Sequence, residues 1–113
     1  MIKQYLLDEN KFFGNIPFPC VAYDEDSYRC NFWWRGPTWV NVAYLMLEVL
    51  KKHGFTKEYR EAGGRIYNMI KADGKMSETF DSQTGEGLGV PQYGWTSAVF
   101  LQLHEQMRIH REK

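Results

Sequence analysis

Two groups of residues have types and spacing suited to chemistry. The first is Glu78, set in Ser77-Glu78-Thr79-Phe80-Asp81 and followed by a glycine-rich run, Gly85, Gly87 and Gly89. A carboxylate in a rigid loop of this kind can be aimed into a cleft, where it would take a proton from water. The same residue also reads as a solvated loop glutamate. Cleaving a glycosidic bond with inversion needs two carboxylates, ~6.5–9.5 Å apart so that a water fits at the anomeric carbon. Glu78 can be one of them, and no second is evident. The second group is Phe32 to Asn41, where Trp33, Trp34 and Trp39 fall within seven positions around Arg35 and a Gly36-Pro37 turn. Indole faces stack on the C–H face of a sugar, and a guanidinium fork donates to hydroxyls or holds a carboxylate. Each tryptophan taken singly reads equally as core. The cluster with Arg35 and Asn41 reads as a site.

Other constellations are weaker. His104, Glu105 and His110 imitate zinc spacing, but two residues six apart on a helix do not share a face and His-Glu-x-x-His is absent, so the histidines read as surface residues. Gly85-x-Gly87-x-Gly89 follows a loop and not a strand, which argues against a dinucleotide fingerprint. No cofactor or metal motif is found. Asp24-Glu25-Asp26 reads as a solvated turn with too few oxygen ligands for calcium. Cys20 and Cys30 read as thiols, there being no secretory signal. Fourteen basic residues balance fourteen acidic ones, which argues against a nucleic-acid partner. No apolar run approaches the ~20 residues of a membrane span, and the expected location is cytoplasmic.

The elements that must position these residues are helical. With 113 residues and 43% hydrophobic content, the chain is read as one domain, residues 1–113. Residues 1–8 read as the tail of a helix, and 9–37 as a long connection, with a short hairpin conceivable near the acidic turn. Connections of such length are usually functional. The pattern predicts a helix from Thr38 to His53, apolar nearly all round and so buried nearly all round, ended by Lys51, Lys52, His53 and Gly54. Thr56 is expected to cap a helix over 57–72 with Tyr59, Ala62, Ile66 and Ile70 as its buried stripe. Gly63-Gly64 inside it costs about 1 kcal/mol per residue against alanine, which suggests close packing of another backbone. A second long loop covers 73–94 and holds five of the ten glycines. A third helix then runs to about Ile109 with Tyr93, Trp95, Ala98, Val99, Leu103 and Met107 as its buried side. No convincing strand is seen. The class is all-α, as α-hairpins of a toroid whose loops build a cleft at one end.

The residues also carry a resemblance. Phe13-Gly14, Ile16-Pro17, Ala22 and Asp24, then Trp34-Arg35-Gly36-Pro37-Thr38-Trp39-x-Asn41, then Glu78-x-Phe80-Asp81 with Thr84-Gly85, then Gly94-Trp95-Thr96-Ser97-Ala98 resemble the C-terminal part of the (α/α)6-barrel glycoside hydrolases. The nearest are glycoside hydrolase family 63 and the mannosylglycerate and glucosylglycerate hydrolases, with trehalases further off. The resemblance implies an inverting glycosidase acting on an α-glucoside or α-mannoside, with Glu78 as general base and Trp34, Arg35, Gly36, Trp39, Asn41 and Trp95 lining the sugar pocket. Phe80, Ser82 and Ala43 depart from the family's usual Tyr, Pro and Asn. No counterpart of its general acid is found, and three or four helices are too few for twelve. The resemblance therefore implies an incomplete barrel that is inactive alone and pairs with a missing N-terminal part or with itself. A non-catalytic carbohydrate-binding or oligomerising module is the other reading.

Overall fold

The computed structural model describes residues 2–32 and 35–112. After a π-helical turn, Ile2–Leu6, the chain makes β1 (Thr38–Trp39), α1 (Val40–Lys52), α2 (Thr56–Asp73), β2 (Thr79–Phe80), β3 (Gly87–Leu88) and α3 (Gly94–Glu112). The three helices pack on one another. Their shared core holds Val40, Ala43, Leu47 and Leu50 of α1, Ala62, Ile66 and Ile70 of α2, and Leu103 of α3, all fully buried. Burying each large aliphatic side chain of this kind contributes about 1.5–3 kcal/mol, so this interior is the main source of stability. The class is all-α, built of helical hairpins and long loops.

The stripe expected on α2 is the buried one: Tyr59, Ala62, Ile66 and Ile70, joined by Gly63 and Met69. Thr56 is not its cap. It is the first helical residue, Phe55 stands at the N-cap, and no side chain bonds there. Gly54 and Gly74 follow the two helices with φ of 83° and 69°, a left-handed conformation that glycine adopts without steric cost. Of the glycine pair, Gly63 is close-packed, but against a side chain and not the backbone expected: a Cβ there would lie 2.9 Å from Met107 Cε. Gly64 is not, since a Cβ would meet nothing within 4 Å.

Four other expectations are corrected. The helix begins at Val40, because Thr38 and Trp39 are extended and pair antiparallel with Phe80 and Thr79. β2 pairs in turn with β3, giving a three-stranded sheet of two-residue strands where no strand was expected. α1 is not covered all round, since Leu45 is 59% exposed. The helix carries more apolar positions than α2 and α3 can cover. On the expected buried side of α3, Val99 and Leu103 are buried and Met107 packs against the core, while Ala98 is exposed. The acidic turn Asp24–Asp26 is exposed, and Lys11 pairs with Asp24 at 2.8 Å.

Candidate functional site

The two long loops meet at the small sheet, and β1 is where they join. Cys20 N–H donates to the Pro37 carbonyl, and Arg29 N–H to the Arg35 carbonyl. Gly36 lies so close to the Arg29 carbonyl that a Cβ would sit 2.7 Å from its carbon, so only glycine passes there. The Thr38 hydroxyl, fully buried, donates to the Pro17 carbonyl at 3.1 Å. On the other loop the Thr96 hydroxyl, also fully buried, donates to the Ser77 carbonyl at 2.8 Å. Two threonine hydroxyls thus fasten both loops to the ends of helical segments. Neither was singled out from sequence, because a threonine beside a helix start is commonplace.

Glu78 stands between Ser77, held by Thr96, and Thr79, whose partner across the sheet is Trp39. Its N–H donates to the Val90 carbonyl at 2.9 Å, and the Val90 N–H approaches Glu78 Oε1 at 3.4 Å. Gly89, at φ 75°, has no room for a side chain beneath this carboxylate. The Trp39 ring meets Trp95 edge-on, with centroids 6.2 Å apart, and Trp95 meets Tyr93 at 4.6 Å. Trp39, Trp95 and Tyr93 thus form one aromatic group, and Glu78 directly precedes the strand residue that pairs with Trp39. Asn41 lies in the first turn of α1, two residues after Trp39. Two atoms in this set, Asn41 Oδ1 and Trp95 Nε1, are buried without a hydrogen-bond partner. One accepts and the other donates, and each costs about 1–3 kcal/mol while unsatisfied. Arg35 is exposed, with Nε donating to the Ser27 carbonyl at 3.1 Å, and no contact links it to this group. Trp34 lies outside the described residues.

Asp81 does structural work. Its Oδ1 accepts from the N–H groups of Gln83 and Thr84 at 2.8 and 3.1 Å, closing the turn after β2. The Cys30 thiol lies 3.6 Å from Asp81 Oδ2, and burial with this carboxylate pushes the thiol's pKa up. No disulfide joins Cys20 and Cys30. Ser82 uses the N–H that a proline would lack, donating to the Cys30 carbonyl at 3.1 Å, while its hydroxyl bonds that of Tyr28 at 2.5 Å. A cleft of about 510 Å³ opens beside this turn, lined by Asn15, Tyr23, Asp24, Ser82 and Gln83 among others. None of the site residues expected from sequence lies on its wall.

Residues 2–96 match the family model described as mannosylglycerate hydrolase MGH1-like glycoside hydrolase domain. The chain belongs to this family. It is 31% identical over 85 residues to mannosylglycerate hydrolase of Rubrobacter radiotolerans, covering 74% of this chain and 19% of that protein. With glucosylglycerate hydrolase of Mycolicibacterium hassiacum it is 31% identical over 86 residues, 74% of this chain and 18% of the other. A family 63 mannosylglycerate hydrolase from Thermus thermophilus, solved with Tris and D-glycerate, superposes with a TM-score of 0.77 at 23% identity. That superposition covers 88% of this chain and 24% of the other, and it speaks for the fold. The chain spans about a fifth of the length of these relatives. Among the described residues no helix is long and apolar enough to cross a membrane.

Proposed function

We propose that this domain supplies the general base and part of the sugar pocket of an inverting glycosidase acting on an α-glucoside or α-mannoside. The observation that supports the reading is the place of Glu78, one residue before the sheet partner of Trp39, whose ring meets Trp95, together with a buried acceptor on Asn41 and a buried donor on Trp95, both unpartnered. A sugar hydroxyl can donate to the one or accept from the other once a local opening brings these atoms, now closed off from solvent, to the pocket surface. Glu78 Oε1 would take a proton from water as the water oxygen bonds to the anomeric carbon. The C–O bond to the leaving group breaks, and that oxygen needs a proton from a general acid. The sequence shows no such acid, so the isolated chain is expected to turn nothing over. Its partner in the reading is the rest of a barrel, or a second copy set against the exposed side of α1.

The test is a chimera in which this chain replaces the matched segment of the Rubrobacter radiotolerans enzyme. Hydrolysis of mannosylglycerate is expected, reduced about 10²–10⁴-fold by Glu78→Gln, the range for removing a general base. Full activity in that variant would sink the assignment. The contact of Glu78 with the Val90 N–H favours a second reading, a carbohydrate-binding module without turnover. It predicts an inactive chimera and a saturable change in tryptophan fluorescence when the chain itself is titrated with glucose or mannose.

A further inference from the structure

Gly64 has no reason internal to the fold. Its neighbour Gly63 is excused by Met107, yet a Cβ on Gly64 would meet nothing within 4 Å, in the middle of an 18-residue helix. Glycine there costs about 1 kcal/mol relative to alanine. The open space it leaves is the floor of a groove of about 440 Å³ between α2 and α3, and Glu78 is not part of its lining.

The walls of that groove have one sign of charge. Arg60, Gly64, Asn68 and Lys71 follow one another at helical spacing along one face of α2, and His104 and Met107 face them from α3. No acidic side chain lines the groove among the described residues. The nearby acids are engaged on the flanks, Glu61 by Arg65 and Glu105 by Arg108, each at 2.5 Å. Tyr67 is stacked on Phe100, the ring planes 2° apart, and its hydroxyl lies 2.7 Å from His104 Nδ1. With Tyr67 donating to Nδ1, the imidazole keeps its proton on Nε2 and offers it as a donor. Arg60 and Lys71 are eleven residues apart, roughly 16 Å along the helix, so a small ligand touches only one of them.

We propose that this groove is a second ligand site, independent of the Glu78 site, that takes an oxyanion carried by a small molecule. The anion sits over Gly64 and accepts from Lys71 Nζ, the Asn68 amide and the imidazole of His104. Glycine is required there because any side chain would occupy the ligand's place. Charge-assisted hydrogen bonds of this sort favour phosphate or carboxylate over neutral ligands.

The experiment is titration of the isotope-labelled chain with inorganic phosphate at constant ionic strength, following the His104 ring and Asn68 side-chain resonances. Saturable shifts at both are expected. Lys71→Gln should weaken binding about tenfold, on the scale of losing one charge-assisted hydrogen bond. Gly64→Leu, whose Cβ meets nothing within 4 Å, should abolish the shifts with the helical circular dichroism unchanged. Glucose 6-phosphate provides the other arm. Binding of the ester alone would assign the oxyanion to a sugar phosphate, and equal binding would assign it to the phosphate group itself. Sodium chloride reproducing the shifts, or Lys71→Gln binding as tightly as the parent, would overturn the proposal.

Discussion

Replacing Thr96 by valine removes one hydroxyl and almost no volume. Thr96 is fully buried, and its hydroxyl donates to the Ser77 carbonyl at 2.8 Å. Valine leaves that carbonyl facing a methyl group, and a buried acceptor stripped of its partner costs about 1–3 kcal/mol. For a domain of this size 1 kcal/mol moves Tm by roughly 4 °C, so Thr96→Val should melt about 4–12 °C lower. The effect should also be local. Ser77 precedes Glu78, whose N–H is held by the Val90 carbonyl at 2.9 Å, so that amide should exchange with solvent sooner. Thermal unfolding followed by circular dichroism gives the first quantity and hydrogen exchange the second. Ser97→Ala is the control. Its hydroxyl reaches the Tyr93 carbonyl only at 3.4 Å in a half-buried position, and its loss should shift Tm by no more than about 2 °C. A Thr96→Val protein melting within a degree of the parent would refute the idea that this hydroxyl fastens the Glu78 loop.

Gly36→Ala should destabilise by about 1–3 kcal/mol, since its Cβ would press on the Arg29 carbonyl, and urea unfolding would read the loss. Gly63→Ala and Gly64→Ala should differ in size. Both gain about 1 kcal/mol of helix propensity, but the first must also move the Met107 methyl aside, so Gly64→Ala should melt above Gly63→Ala. Alkali should act through Tyr23 and Tyr59, whose phenols burial pushes up to about 12. Their folded pKa values exceed the unfolded value near 10, so the folded state holds these protons more tightly. That stabilisation is complete below about pH 10 and disappears as pH rises from 10 to 12. Absorbance at the phenolate band should show these two titrating late, and Tyr59→Phe should flatten the fall in urea midpoint over the same interval.

α2 was legible position by position, because Tyr59, Ala62, Ile66 and Ile70 repeat at the helical period and one face suffices to place them. α1 was legible as a helix, but its exposed side was not. Apolar residues all round say nothing about which neighbours are present to cover them, and Leu45 is left open. β1 was invisible because two residues have no period, and its partners Thr79 and Phe80 lie some forty positions away. Of the candidate site, Glu78, Trp39 and Trp95 could be named from residue type and order, and the fold brings the two indole rings together. The unpartnered state of Asn41 Oδ1 and Trp95 Nε1 depends on packing and could not be read beforehand.

The sheet that joins the loops also has a temporal meaning. The α1–α2 hairpin closes over three residues, 53–55, and can form from local contacts. Pairing Trp39 with Thr79 must close a loop more than ten times longer, at an entropic cost that only docked helices offset. The helices should therefore assemble first, and the sheet that seats the Glu78 loop beside β1 should arrive last and open first when the chain breathes.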